Sequence, residues 1–268
     1  NRERNYDGRM GVNHDRDGAV VKAVLANLPF RLTRAQQQAW QDISGDMEDI
    51  HPMNRLLQGD VGSGKTVLAA LALAKAAENG YQGCIMAPTG ILAQQHYDTL
   101  KSFFAGTGVR LALLTSNTKA SERKEILQGL ADGSLQILIG THAVLQEDVQ
   151  FRNLSLVVTD EQHRFGVNQR GRLAAKSDFA PDVLIMTATP IPLTLALTVY
   201  GDIETTIMRG RPPGRKHIET LCYTGDMRRK VYEGMVRQIR AGRQVYVVCA
   251  SIEESENQEG VRSVTEVY

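Results

Sequence analysis

The chain lacks a strong charge of either sign, because 31 Lys and Arg residues face 30 Asp and Glu residues. It has three cysteines in 268 residues, none of them in a CxxC pair. Its longest uninterrupted apolar run, residues 67–74, is far too short to cross a bilayer. These shortages argue against a basic or acidic tail protein, a transmembrane protein, a disulfide framework and a structural zinc site.

Short apolar segments alternate with helical segments from residue 25 onwards. The predicted strands are apolar along their whole length, which is typical of a parallel sheet covered on both faces. The sequence therefore predicts an α/β fold with an open, doubly wound parallel sheet, whose ligands bind where strands end and helices begin. The predicted strands lie at residues 54–58, 84–87, 109–114, 135–139, 154–159, 183–187 and 244–249.

Composition divides the chain into three parts. Residues 1–24 are polar and rich in glycine, so they predict an irregular lead-in. Residues 25–208 carry the alternating pattern and form the predicted main lobe. A segment with two prolines, two glycines and four cations begins at residue 209 and predicts an exposed linker. One helix and one strand follow it before residue 268, which indicates the truncated beginning of a second lobe.

The clearest motif is the segment at residues 59–66, which reads GDVGSGKT and fits the phosphate-binding pattern GxxxxGK[ST]. Glycines let the backbone turn its N–H groups inward, and the following helix adds the positive end of its dipole. Lys65 is expected to reach the β and γ phosphates of ATP, and the Thr66 hydroxyl to bind Mg²⁺. The predicted cofactor-binding residues of this loop are Gly59, Gly62, Ser63, Gly64, Lys65 and Thr66.

Two neighbouring carboxylates end the apolar strand at residues 154–159. Asp160 is suited to hold the magnesium ion, and Glu161 to orient and deprotonate the attacking water. A solvated acidic turn is the alternative reading. The position of the two acids after an apolar strand, downstream of a phosphate loop, favours the catalytic interpretation.

Gln36 has two interpretations. Thr33-x-x-Gln36 fits a capping box at a helix start, and the spacing by itself favours this role. A glutamine amide can also read adenine N6 and N7, so Gln36 can belong to the ATP site instead.

Taken in order, six motifs resemble those of superfamily 2 helicases and translocases. Three longer strings are similar to the RecG family of bacterial branched-DNA helicases: PMNRLLQGDVGSGKT at residues 52–66, DEQHRFGV at 160–167 and TATPIP at 187–192. The six motifs are LTxxQ at residues 32–36, the phosphate loop, APT at 87–89, GTH at 140–142, DEQH at 160–163 and TATP at 187–190.

This resemblance implies further roles. Gln36 becomes an adenine reader, and both His163 and Lys65 join the catalytic group with the two acids. The residues implied in gripping DNA are Pro88, Thr89, Thr141 and His142. Those implied in coupling the nucleotide site to DNA are Gln162, Arg164, Thr187 and Thr189. The sequence departs from the family pattern at Gly90, Gln94 and Leu193, which leaves the strength of that coupling open.

The predicted function is therefore that of an ATP-dependent DNA helicase or translocase acting on branched DNA in recombination and repair. We expect ATP and Mg²⁺ as cofactors, branched or duplex DNA as partner, a monomeric state and a place in the bacterial cytosol. Because the second lobe and its arginine finger are not seen, weak hydrolysis is expected. The alternatives are a transcription-repair coupling or primosome-type translocase, and a nucleotide-binding module without productive turnover.

Overall fold

Helices and strands alternate along most of the chain in the computed structural model, which describes residues 10–160, 179–189, 203–209, 219–224 and 227–248. The chain divides into two compact units, Asn1–Gly214 and Arg215–Tyr268. The helices are α1 (Ala19–Asn27), α2 (Arg34–Met47), α3 (Lys65–Glu78), α4 (Gly90–Phe103), α5 (Ala120–Asp132) and α6 (Arg228–Arg240). The strands are β1 (Asn54–Gly59), β2 (Gln82–Met86), β3 (Leu111–Leu114), β4 (Ile137–Gly140), β5 (Leu154–Asp160), β6 (Asp182–Thr187) and β7 (Glu204–Met208).

All seven strands form one sheet, in the order β3-β4-β2-β5-β6-β1-β7, and every neighbouring pair is parallel. The predicted α/β fold with a parallel sheet is confirmed. Because parallel neighbours need a crossover, each strand is reached through a helix or a long connection, and the carboxyl ends of the strands lie along one edge.

The two faces of the sheet are covered by different parts of the chain. In β2, Ile85 packs into the cluster built from α1 to α4, whereas Cys84 and Met86 pack into the cluster that includes residues of α5. The same division by alternate residues holds in β4 and over residues 156–158 of β5. Burial on both faces explains why these strands read as unbroken apolar runs.

Helix α3 is the centre of the larger cluster. Ten consecutive residues from Val67 to Ala76 are buried, so it is apolar on nearly all sides. Burying each of its leucines contributes about 1.5–3 kcal/mol. The helix ends at Asn79, and Gly80 follows with φ of 79°, a left-handed conformation that glycine adopts without strain.

Residues 19–24 differ from the irregular lead-in predicted for residues 1–24, of which residues 1–9 lie outside the described residues. Helix α1 begins at Ala19, and Val21 and Val24 are fully buried against α3. The carboxylate of Glu78 accepts hydrogen bonds from the backbone of Gly18, Val20 and Val21 at 2.7, 2.9 and 3.3 Å. This distant carboxylate satisfies the free amides of the helix start.

Two further differences concern strands. Sequence reasoning missed β7, because its five residues ETTIM form no unbroken apolar run and only Thr206 and Met208 are buried. The strand expected at residues 244–249 is absent over the part that the structure describes, 244–248, because no described strand lies beside it to complete a ladder. Within the described residues no helix is long and apolar enough to span a membrane.

Candidate functional site

Five neighbouring strands end at the carboxyl edge of the sheet, and each is followed by one of the predicted motifs. The strands are β4, β2, β5, β6 and β1 in spatial order. In the ladders Asp160 is level with Met186, and Met186 is level with Leu57. Since neighbouring strands lie about 4.8 Å apart, Asp160 and Leu57 of β1 are separated by about 10 Å across the sheet.

The phosphate loop leaves β1 at Gly59 and leads into α3 at Lys65. Gly62 and Gly64 have φ of 80° and 89°, conformations that residues with a Cβ rarely adopt. The Lys65 ammonium bridges the loop, donating to the carbonyls of Gly59 at 2.6 Å and Asp60 at 3.0 Å. The loop is thus folded around the position where Lys65 is expected to meet phosphate oxygens.

Three features of this loop fit a nucleoside triphosphate with magnesium. The amides of the first turn of α3 have no acceptor within the helix, so they point toward an incoming anion. Thr66 lies in that turn, where its hydroxyl can bind Mg²⁺. Among the described residues, the buried Ser63 hydroxyl has no hydrogen-bond partner, which leaves it available to a bound group.

Gln36 is buried and connects helix α2 to the phosphate loop. Its Oε1 accepts from the Thr33 amide at 2.9 Å, while the Thr33 hydroxyl accepts from the Gln36 amide, so the predicted capping box is present. Its Nε2 donates to the Ser63 carbonyl at 2.8 Å. Gly64 must be a glycine here, because a Cβ would collide with this amide.

The two interpretations of Gln36 are compatible. An amide oxygen has two lone pairs and an amide nitrogen two hydrogens. The contacts to Thr33 and Ser63 use one of each, so one acceptor and one donor position remain on the side chain. Reading of adenine by Gln36 stays a prediction.

Asp160 ends β5 and is held by a residue that the sequence reasoning missed. Its Oδ2 lies 2.6 Å from Nε2 of His96, a buried residue in the middle of α4. The two residues are 64 positions apart, so no local pattern connects them. Among the described residues no hydrogen bond reaches Oδ1 of Asp160, and that oxygen is the one left to hold a metal ion.

Thr187 lies between the phosphate loop and Asp160, at the end of β6. It is fully buried, and its hydroxyl is 3.0 Å from the hydroxyl of Thr189 and accepts from the Thr189 amide at 3.1 Å. Both predicted coupling threonines therefore form one hydrogen-bonded turn on the strand that separates the two halves of the site.

The residues predicted to grip DNA follow β2 and β4, on the other side of Asp160 from the phosphate loop. Met86 and Gly140 are level in the ladder. Thr89 is exposed and caps α4 by accepting from the Leu92 amide at 3.3 Å. His142 is exposed in the short 3-10 turn after Thr141, and Pro88 is half-buried before the cap. DNA contact by these four residues stays a prediction.

Several predicted residues lie outside the described residues, namely Glu161, Gln162, His163, Arg164 and Leu193. Of the other departures from the family pattern, Gly90 begins α4, and Gln94 is exposed and donates to Asp98 on the next turn at 3.0 Å. Within the described part of the chain no cluster of three His, Cys, Asp or Glu side chains forms a metal site.

A cavity of about 490 Å³ lies beside α4, α5 and the edge strand β3, and Gln94 is one of the residues that line it. Its lining includes Tyr97, Arg110 and Glu122. None of the predicted nucleotide-binding residues contributes to it. The phosphate loop, not this cavity, carries the features that fit a triphosphate.

Comparison with known proteins agrees with this geometry. The DEAD/DEAH box helicase family matches residues 33–196. The chain is 48% identical over 259 residues to the ATP-dependent DNA helicase RecG of Bacillus subtilis, covering 97% of this chain and 38% of that protein. It is 51% identical over 239 residues to RecG of Synechocystis, covering 89% of this chain and 29% of that protein. The chain thus spans about a third of the length of these relatives.

Solved structures give the same result. A structure of RecG bound to a three-way DNA junction matches with a TM-score of 0.76 and 43% identity, covering 88% of this chain and 32% of that chain. A DEAD box protein from Methanococcus jannaschii matches with a TM-score of 0.55 and 19% identity, covering 75% of this chain and 56% of that chain. The second likeness concerns the fold alone.

Proposed function

The chain belongs to the DEAD/DEAH box helicase family, and we propose that it carries the ATP-binding lobe of a RecG-type helicase that acts on branched DNA. The observation that supports this most is the sheet edge, where the phosphate loop and Asp160 lie on either side of Thr187. The high identity to RecG proteins, one of them solved on a three-way junction, supports the DNA substrate.

ATP binds at the phosphate loop in this proposal. The glycines and the first-turn amides of α3 surround the phosphates, and Lys65 leaves the carbonyls of Gly59 and Asp60 to reach them. Thr66 and Asp160 would hold Mg²⁺, which neutralises phosphate charge when bound. Glu161 orients and deprotonates the attacking water, and His163 belongs to the same catalytic group.

DNA lies along the other part of the edge in this proposal. Thr89 and Thr141 offer hydroxyl and amide groups to DNA phosphates, a sequence-independent mode of contact, and Pro88 and His142 flank them. The coupling group of Gln162, Arg164, Thr187 and Thr189 then transmits changes between the two ligands. The beginning of a second lobe after residue 208, a monomeric state and a place in the bacterial cytosol are parts of the same proposal.

Binding of a fluorescent ATP analogue with Mg²⁺ tests the nucleotide site. Lys65→Ala should weaken binding about 10- to 100-fold, because hydrogen bonds to charged groups contribute about 1.5–3 kcal/mol. Lys22→Ala, which removes an exposed lysine from α1, is the matched control and should bind as the original chain does. Equal binding by both variants would rule out the phosphate loop as the site.

The DNA part is tested by comparing a three-way junction with a linear duplex of the same length. We expect tighter binding to the junction, and weak ATP hydrolysis that the junction increases. ATP binding without any effect of DNA would favour the nucleotide-binding module instead. Equal stimulation by the linear duplex would favour another type of DNA translocase.

A further inference from the structure

His96 and Asp160 form a short hydrogen bond between helix α4 and the end of β5, at 2.6 Å. Both side chains are largely shielded from water, with 10% of the His96 side chain and 16% of that of Asp160 exposed. A carboxylate only accepts hydrogen bonds, so Nε2 of His96 carries the hydrogen and donates it. The bond therefore fixes which oxygen of Asp160 points into α4.

The geometry leaves one oxygen of Asp160 for a metal ion. A carboxylate has two oxygens, and His96 engages Oδ2, so among the described residues Oδ1 is the oxygen that no hydrogen bond reaches. Without the His96 bond, the carboxylate can rotate about its terminal torsion, which has broad minima. A metal ion would then have to select one orientation from several, and its binding would weaken.

We propose that His96 is a positioning residue that orients Asp160 for magnesium and thereby sets the magnesium requirement of ATP binding. The proposal rests on the proposed function, since it takes Asp160 as the metal-holding acid. Residues that hydrogen-bond to metal ligands typically change metal affinity 10- to 100-fold when they are replaced. His96 lies on α4, the helix that begins next to Thr89 in the predicted DNA-binding loop. The residue that orients Asp160 is therefore on the same helix as part of that loop.

Two substitutions separate positioning from packing. His96→Leu fills similar space without a donor, and His96→Gln keeps an N–H donor near the position of Nε2. The measurement is the affinity for a fluorescent ATP analogue, first in EDTA and then over a Mg²⁺ titration. We expect the same affinity in EDTA for all three proteins. The Mg²⁺ concentration for half-maximal effect should rise about 10-fold in His96→Leu and return to within about threefold in His96→Gln.

Each other outcome overturns the inference in a distinct way. An unchanged Mg²⁺ response in His96→Leu shows that Asp160 needs no positioning by His96. Equal weakening in EDTA and in Mg²⁺, with a lowered melting temperature, shows that His96 is only a packing residue. Equal effects of the Leu and Gln variants exclude the donated hydrogen bond as the cause. If the original chain itself binds no nucleotide, the proposed function fails, and this inference fails with it.

Discussion

The two edges of the sheet use the same kinds of side chain for different purposes. At the carboxyl edge, Lys65 donates to the backbone carbonyls of Gly59 and Asp60 at the mouth of a loop. Near the amino edge, at the other end of the same helix, Lys75 is fully buried and donates to Asp17 at 2.9 Å and Glu48 at 2.7 Å. Ten residues of α3 separate the two lysines, about 15 Å. A buried cation with fixed anions stabilises the fold, whereas a cation on backbone carbonyls can exchange them for a ligand.

The amino edge also contains an arrangement that resembles a nucleophilic triad. His14 Nε2 lies 3.1 Å from the Ser155 hydroxyl, and His14 Nδ1 lies 3.7 Å from Oδ2 of Asp182. These three residues are only 1–2% exposed, so no substrate reaches them. His14 Nδ1 also bonds the Met47 carbonyl at 3.1 Å, which fixes the amino-terminal segment to α2. Residue types alone would mistake this packing contact for a catalytic site.

Burial disfavours the charged forms of both His14 and Asp182. Desolvation lowers the pKa of His14, with a further contribution from the positive charge of Lys75. Desolvation also raises the pKa of Asp182 well above its usual value, outweighing the hydrogen bond from the Met53 amide.

The sharpest test of this comparison replaces each of the two lysines in turn. Lys75→Met should destabilise the protein by about 3 kcal/mol, because Asp17 and Glu48 lose the cation between them, and should leave ATP affinity unchanged. Lys65→Ala should weaken ATP binding and leave the free energy of unfolding unchanged. Urea unfolding and analogue binding measure the two effects. If Lys75→Met keeps full stability, or if Lys65→Ala unfolds the protein, the two edges do not differ as we describe.

The second prediction concerns Asp182→Asn. The pKa of Asp182 is raised in the folded state. The stability that this carboxyl group contributes is therefore fully present below pH 3.8 and is lost as the pH rises through the folded pKa. The asparagine side chain does not ionise, so the variant keeps its stability as the pH rises. Its amide oxygen can still accept the hydrogen bond from the Met53 amide. We expect it to match the original chain near pH 3.5 and to be the more stable of the two at pH 7. Urea midpoints across this range provide the measurement.

Asp132→Asn is the matched control for that experiment. Hydrogen bonds from the backbone and side chain of Ser134 lower the pKa of this exposed carboxylate. Its contribution to stability is therefore present above pH 3.8 and lost as pH falls, opposite in sign to that of Asp182. Changes of the same sign in both variants would contradict the burial argument.

The comparison also shows which features of the fold and of the site can be predicted from the sequence. The phosphate loop was predicted because its function depends on adjacent residues, and the strands because burial on both faces leaves an unbroken apolar run. Helix α1 was missed because Glu78, 60 positions from Gly18, caps it. His96 was missed because its partner is 64 positions away. Contacts between distant parts of the chain leave no local periodicity to detect.

The smallest effect is expected at the cap that joins α2 to the phosphate loop. Thr33→Ala removes the capping hydroxyl and should reduce stability by about 1 kcal/mol, while Thr33→Ser retains it and should reduce stability less. ATP affinity should hold in both. Gln36→Ala removes the cap, the contact to Ser63 and the free amide positions, so we expect the preference for ATP over GTP to fall about 10-fold. If Thr33→Ala reduces that preference equally, Gln36 acts on the nucleotide only through the helix start.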